Sequence, residues 1–123
     1  MRTTIPTLKK EFIDGEIKRT KGALSVDIDT SFLAHLKWEE HFEKALGVSL
    51  TTYAERVSKW IKNNEATKEN FLGLLKLLYC YVNSPELPTF THFVKLFDIE
   101  IADEILENLK EVLAEVNNFA SKN

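Results

Sequence analysis

Residues 71–97 read FLGLLKLLYCYVNSPELPTFTHFVKLF and form the most apolar part of a 123-residue chain. Phe71, Leu74, Leu75, Leu78, Tyr79 and Val82 recur at helical spacing and draw one stripe. Leu72, Leu77, Cys80 and Tyr81 fill much of the opposite side. A helix apolar on nearly all sides is normally surrounded by other elements. The run is too short and too interrupted to span a bilayer. Asn83-Ser84-Pro85 ends it, because proline lacks an N–H and disfavours helix in the residue before it. Leu87-Pro88-Thr89 restarts the chain as a shorter helix, where Phe90, Phe93, Val94 and Phe97 repeat the stripe. The stretch predicts a central hairpin of two helices that the remaining helices cover.

Working outward, Asp98 caps or turns into a last helix striped by Ala102, Ile105, Leu106, Leu109, Val112, Leu113 and Val116. Upstream, Ser49 caps an amphipathic helix carrying Leu50, Tyr53, Ala54, Val57, Trp60 and Ile61. Asn63-Asn64 ends it, and Thr67 with Asn70 opens the central helix. Before it, Asp29-Thr30-Ser31 offers caps for a helix that stops at Gly47. Phe32, Leu36, Trp38, Phe42, Ala45 and Leu46 lie on one broad arc of that helix. Residues 1–29 are the least helical. Leu24, Val26 and Ile28 alternate with polar residues as a half-buried strand. Asp14-Gly15 between apolar residues is a hairpin-turn signal, with a short helix from Thr7 as the alternative. The expected fold is mainly α: a compact bundle of about five helices with a short N-terminal β-strand or hairpin. It is read as one domain, with 1–29 as strand, hairpin or flexible arm, 30–119 as helical core and 120–123 as a frayed tail.

Apolar residues make up 44% of the chain and charged residues 28%, which is globular rather than disordered composition. The first 22 residues hold six cations against three anions. That local +3 leaves −6 on the remainder of a chain whose net charge is −3. Asymmetry of this kind marks either a binding arm or an ordinary solvated surface. Cys80 is the single cysteine, so no intramolecular disulfide forms, and it reads as a small core residue between two tyrosines. A lone thiol fits a reducing cytoplasm. Neither a signal peptide nor a lipidation motif is expected.

Chemistry is scarce in this sequence. The one site-like cluster is His35-Leu36-Lys37-Trp38-Glu39-Glu40-His41, where His35 and Glu39 lie one helical turn apart. The di-iron pattern requires Glu three residues before His41, and Trp38 stands there. HExxH, GxSxG, GxGxxG and P-loop patterns are absent. No metal, cofactor or catalytic residue is therefore expected, and the chain reads as a non-enzyme. An acidic chain whose net positive charge is confined to its first 22 residues is a poor nucleic-acid binder. The informative excess is aromatic: rings at Phe32, Trp38, Phe42, Tyr53, Trp60, Phe71, Tyr79, Tyr81, Phe90, Phe93 and Phe97 crowd a small core.

Four segments together carry a family resemblance: HLKWEEHF (35–42), LTTYAERVSKW (50–60), NFLGLLKLLYCYVNS (70–84) and LPTFTHFVKLFD (87–98). The combination resembles the tail assembly chaperones of long-tailed phages and prophages of Gram-positive bacteria, over roughly residues 24–116. The resemblance implies a small, mostly helical protein of the host cytoplasm that is absent from the mature virion. It implies that the protein coats the apolar tape measure protein, with possible self-association. Tail tube protein subunits then displace it. No enzymatic motif comes with the family, nor any nucleic-acid or membrane partner. Many members are also made in a longer, frameshifted form. Ser121-Lys122-Asn123 encoded as UCA-AAA-AAY would hold a slippery A-AAA-AAY heptamer. Contact with a partner helix is expected from Trp38, Phe42, Tyr53, Trp60 and Phe93, large rings on amphipathic faces outside the most buried helix. The alternative reading is a small helical nucleic-acid-associated regulator of a mobile element.

Overall fold

The computed structural model describes residues 2–29, 32–63, 67–83, 89–108 and 110–111. Strands β1 (Arg2–Ile13) and β2 (Glu16–Ile28) form one long antiparallel hairpin. Their register is unbroken, from Arg2 opposite Asp27 to Ile13 opposite Glu16. Helix α1 (Phe32–Trp38) runs through a π-helical segment, Glu39–Glu43, into α2 (Lys44–Leu46). Helices α3 (Leu50–Lys62) and α4 (Lys68–Tyr81) follow. Strand β3 (Val82–Asn83) then pairs antiparallel with Asp27 and Ile28, giving the sheet order β1-β2-β3. The short helix α5 (Phe90–Val94), a 3-10 turn at Ile99–Ile101 and a helical run over 102–108 complete the described chain.

The architecture is thus helices plus a three-stranded antiparallel sheet, which corrects the mainly α expectation with its short strand or hairpin. Asp14-Gly15 does make the turn, with φ of 53° and 79° at its two residues. Positive φ at both positions matches the twist of the flanking strands. The strands on either side, however, run twelve and thirteen residues. The helix starting at Thr7 does not form, because Thr7 and Leu8 belong to β1. Strand periodicity comes from one buried face, and this hairpin does not have one along its length. Near its base Ile5, Val26 and Ile28 are buried, and so is Leu8, which alternation places on the other face. From Lys9 to Ala23 every residue is exposed. A ribbon buried first on both faces and then on neither leaves no alternating pattern to read.

The helical half agrees better with the local signals. Ser49, Thr67, Thr89 and Asp98 each cap with a side-chain oxygen, accepting from the N–H of Thr52, Asn70, His92 and Glu100 respectively. Gly47 ends the helix before it in the left-handed region, φ 70°, and its N–H donates to the Glu43 carbonyl at 2.7 Å. Helix α4 is buried almost all round, with Leu72 at its exposed edge. It stops at Tyr81, and Val82 turns extended to enter the sheet instead of continuing the stripe. The Asp29 N–H donates to the Tyr81 carbonyl at 2.7 Å and extends that junction. In the last helix Ile105 is buried and Ala102 and Leu106 are partly so. The expectations at 84–88, at Leu109, Val112, Leu113 and Val116, and for the tail lie outside the described residues.

The base of the hairpin is tied to the segment 96–108. The Leu8 N–H donates to the Leu96 carbonyl at 2.9 Å, and Asn108 Nδ2 donates to the Thr4 carbonyl at 2.6 Å. Lys10 Nζ lies 3.2 Å from Asp98 and 3.1 Å from Glu100, and Arg19, its cross-strand partner, also pairs with Glu100. Beyond that cluster the two strands project as an arm.

Candidate interaction surfaces

The rings expected to meet a partner are placed inside. Trp38, Phe42, Tyr53 and Phe93 are buried, and Trp60 is half-buried. They form a connected aromatic core. Trp38 lies 4.8 Å from Tyr53 and 5.2 Å from Phe42 between ring centroids. Phe42 lies 5.1 Å from Phe90, and Tyr79 links to Phe93 at 5.6 Å. Trp60 stands edge-on to Tyr53 at 5.9 Å. The Trp38 indole N–H donates to the Val48 carbonyl at 2.9 Å, satisfying its one polar atom. A partner reaches the four buried rings only if the domain opens. An apolar helix stripe normally faces the domain's own core, and periodicity alone does not separate that from a face turned to a partner.

Exposed apolar side chains gather elsewhere, in two places. At the arm's end Phe12 is 75% and Ile17 66% exposed, and the two are cross-strand partners. On α1 the outer side carries Phe32, 72% exposed, with Leu33 and Leu36. Ala34 and Trp38 hold the inner side, so the arc that joined Phe32 and Leu36 to Trp38 does not exist as one buried face. At about 100° per residue, Phe32 and Leu36 lie far round the helix from Ala34 and Trp38. The apolar residues flanking Asp14-Gly15 were a usable sequence signal for the first site. The second had none, since Phe32 and Leu36 read as ordinary core.

Titratable groups are mostly structural. His35 is exposed and stacks on Phe32 at 5.7 Å, while His41 meets the edge of Tyr79 at 5.7 Å. Among the described residues no three of His, Cys, Asp and Glu converge as metal ligands. Lys37 Nζ donates to the Tyr79 and Val82 carbonyls, each at 3.0 Å, and stands 4.4 Å from the Tyr79 ring centre. It thereby adds a side-chain donor to the Tyr79 carbonyl in the last turn of α4 and to the Val82 carbonyl just beyond it. Burial lowers its pKa, partly opposed by Cys80 and Asp29. Burial pushes the Cys80 thiol up to about 12, which makes it a poor nucleophile near neutral pH. A cleft of about 40 Å³ lies beside these groups, lined by Leu33, Ala34, Lys37, Cys80 and Val82 among others. That volume suits a water molecule, not a metabolite.

The geometry describes a packed domain with two exposed apolar patches and a projecting ribbon. Compared with known proteins, the chain matches no protein-family model, no curated protein and no solved structure. No described helix is long and apolar enough to cross a membrane.

Proposed function

We propose that this chain is a phage tail assembly chaperone that binds the tape measure protein in the host cytoplasm, passes it to tail tube subunits and stays out of the mature virion. The reading starts from the sequence resemblance. The observation that carries it further is the outer face of α1, where Phe32, Leu33 and Leu36 stand exposed beside a core that is already closed. Apolar side chains grouped on one exposed helix face are what a protein-binding patch is made of. The first two turns of a helix offer the spacing against which another helix packs, so an amphipathic tape measure helix fits there. Trp38 and Phe42 then act from behind, as the rigid floor under that face. Because each contact is small, retention on a long helix comes from many copies side by side, and each copy remains exchangeable.

The test is co-expression with the tape measure protein encoded beside it. The wild-type chain keeps that protein in the supernatant and co-purifies with it. Phe32→Ser with Leu36→Ser retains the helical circular dichroism spectrum and loses the complex. If the double variant co-purifies as well as wild type, the α1 face is not the site. If the wild type does not bind, the chaperone reading falls.

One observation favours a second reading, the nucleic-acid-associated regulator. The N-terminal cations sit on a two-stranded ribbon, a shape that enters the major groove. Against it, Lys10 and Arg19 are engaged by Asp98 and Glu100, and Glu11, Asp14 and Glu16 crowd the tip. A salt-dependent gel shift that Lys9→Ala and Lys18→Ala weaken would favour this reading.

A further inference from the structure

We infer that Glu39 and Glu40 decide which helices the α1 face accepts: amphipathic ones whose apolar stripe ends in a pair of lysines or arginines. This rests on the reading of that face as the tape measure site and adds the chemistry of the segment it takes.

The face changes character along its length. Phe32, Leu33 and Leu36 are 72%, 56% and 47% exposed. Glu39 and Glu40 are exposed as well and lie three and four residues past Leu36. That spacing sets them on the same side of the helix, one turn on. The inner side has no such break, because Ala34, Trp38 and Phe42 continue as core. The backbone changes at the same point, since the π-helical segment opens at Glu39. Short π-helical turns are rare and occur frequently at functional sites.

The two carboxylates are open to a partner. Among the described residues neither forms an ion pair or a side-chain hydrogen bond. The cations nearby are turned elsewhere. Lys37 directs its ammonium at the Tyr79 and Val82 carbonyls. Lys44 follows Glu40 by one turn and is exposed, without an ion pair between them. His35 stacks on Phe32. Toward the other end of the face, Asp29 shares the small cleft with Lys37. Unanswered negative charge therefore adjoins the apolar patch at one end.

Charge complementarity then selects the occupant. From Phe32 to Glu40 the face extends roughly 12 Å along the helix. A partner helix that lays two apolar turns on Phe32, Leu33 and Leu36 brings its next turn over the carboxylates. Lysine or arginine there gains two attractions, and its aliphatic stem lengthens the apolar contact. Aspartate or glutamate there meets like charge beside a desolvated patch. Phe32 and Leu36 thus hold the helix, while Glu39 and Glu40 fix its direction and register.

Fluorescence anisotropy of the full chain with two labelled synthetic helices of about twenty residues tests this. Both carry the same two-turn leucine stripe. One ends the stripe in a lysine pair, the other in a glutamate pair. The wild type binds the lysine-ended helix about tenfold more tightly, and the gap closes as salt rises. Glu39→Gln with Glu40→Gln brings the two helices within about twofold of each other. Glu39→Lys with Glu40→Lys reverses the preference, which misfolding cannot do. Equal binding of both helices by the wild type overturns the inference, and so does a preference that the glutamine variant keeps. In either case, loss of both helices on Phe32→Ser with Leu36→Ser still supports the α1 face itself. Binding of neither helix, or self-association of the chain in its place, also overturns the inference, and co-purification with the tape measure protein then decides the chaperone reading separately.

Discussion

Gly73 of α4 lies directly beneath Tyr53 of α3. A Cβ added at Gly73 would overlap the Tyr53 hydroxyl oxygen and come within 2.9 Å of Trp60 Cζ3. The absence of a side chain lets the two helices approach and lets the edge-on Tyr53–Trp60 pair close over the gap. Gly73→Ala therefore destabilises the domain by about 1–3 kcal/mol through overpacking, even though alanine favours an isolated helix by about 1 kcal/mol. Urea unfolding followed by circular dichroism measures the difference. A stabilised variant would show that the helices can move apart freely.

The five aromatic candidates separate by stability. Trp38→Ala removes a buried indole and its hydrogen bond to Val48, at a cost of about 3–5 kcal/mol. Trp60→Ala, at a half-buried position, costs less. Thermal midpoints of the two variants should fall in that order. Equal, small shifts would mean that Trp38 is not part of the closed core.

Stability falls on the alkaline side. Burial raises Cys80 from 9.0 to about 12 and Tyr81 from 10.0 to about 12. In the unfolded chain both ionise near their ordinary values, so it binds fewer protons than the folded chain across this range. Their contribution is complete below about pH 9 and is lost as pH rises toward 12. Lys37, lowered by burial, works in the opposite sense just below 10.5 and blunts the decline. Cys80→Ala removes the part that begins near 9.0, so the urea midpoint of this variant should hold until pH approaches 10.0. An unchanged onset would assign the alkaline loss to other groups.

The ion cluster governs the arm rather than the fold. The Glu100 N–H and Lys10 hold the Asp98 carboxyl below its ordinary pKa, and the acids raise Lys10. These charges remain open to solvent, which screens them. Glu100→Gln should leave the thermal midpoint nearly unchanged while speeding amide exchange over residues 9–21. Added salt should reproduce that effect in the wild type. A large drop in midpoint with no change in exchange would reverse the assignment.

At the turn, Asp14 and Gly15 both carry positive φ. Gly15→Ala should cost about 1 kcal/mol, while Asp14→Asn should be tolerated. Because the arm's end is solvated on both faces, the loss appears in the exchange of its cross-strand amides more than in global unfolding.

Local chemistry is enough to explain a good part of this molecule. Caps at Ser49, Thr67 and Thr89, the left-handed stop at Gly47 and the Asp14-Gly15 turn depend on a few neighbouring atoms, so each is legible from residue type. The all-round apolar α4 is legible too, since only a surrounded helix tolerates such a surface. Tertiary structure decided the rest. The length of the hairpin depends on pairing between residues as far apart as Arg2 and Asp27, and an exposed ribbon has no apolar period to announce it. Val82 leaves its helix because the edge of β2 at Ile28 is open to it. Trp38 and Phe42 became core, and Phe12, Ile17, Phe32 and Leu36 became surface. An apolar side chain specifies that it be covered, but what covers it is set by elements distant in the chain.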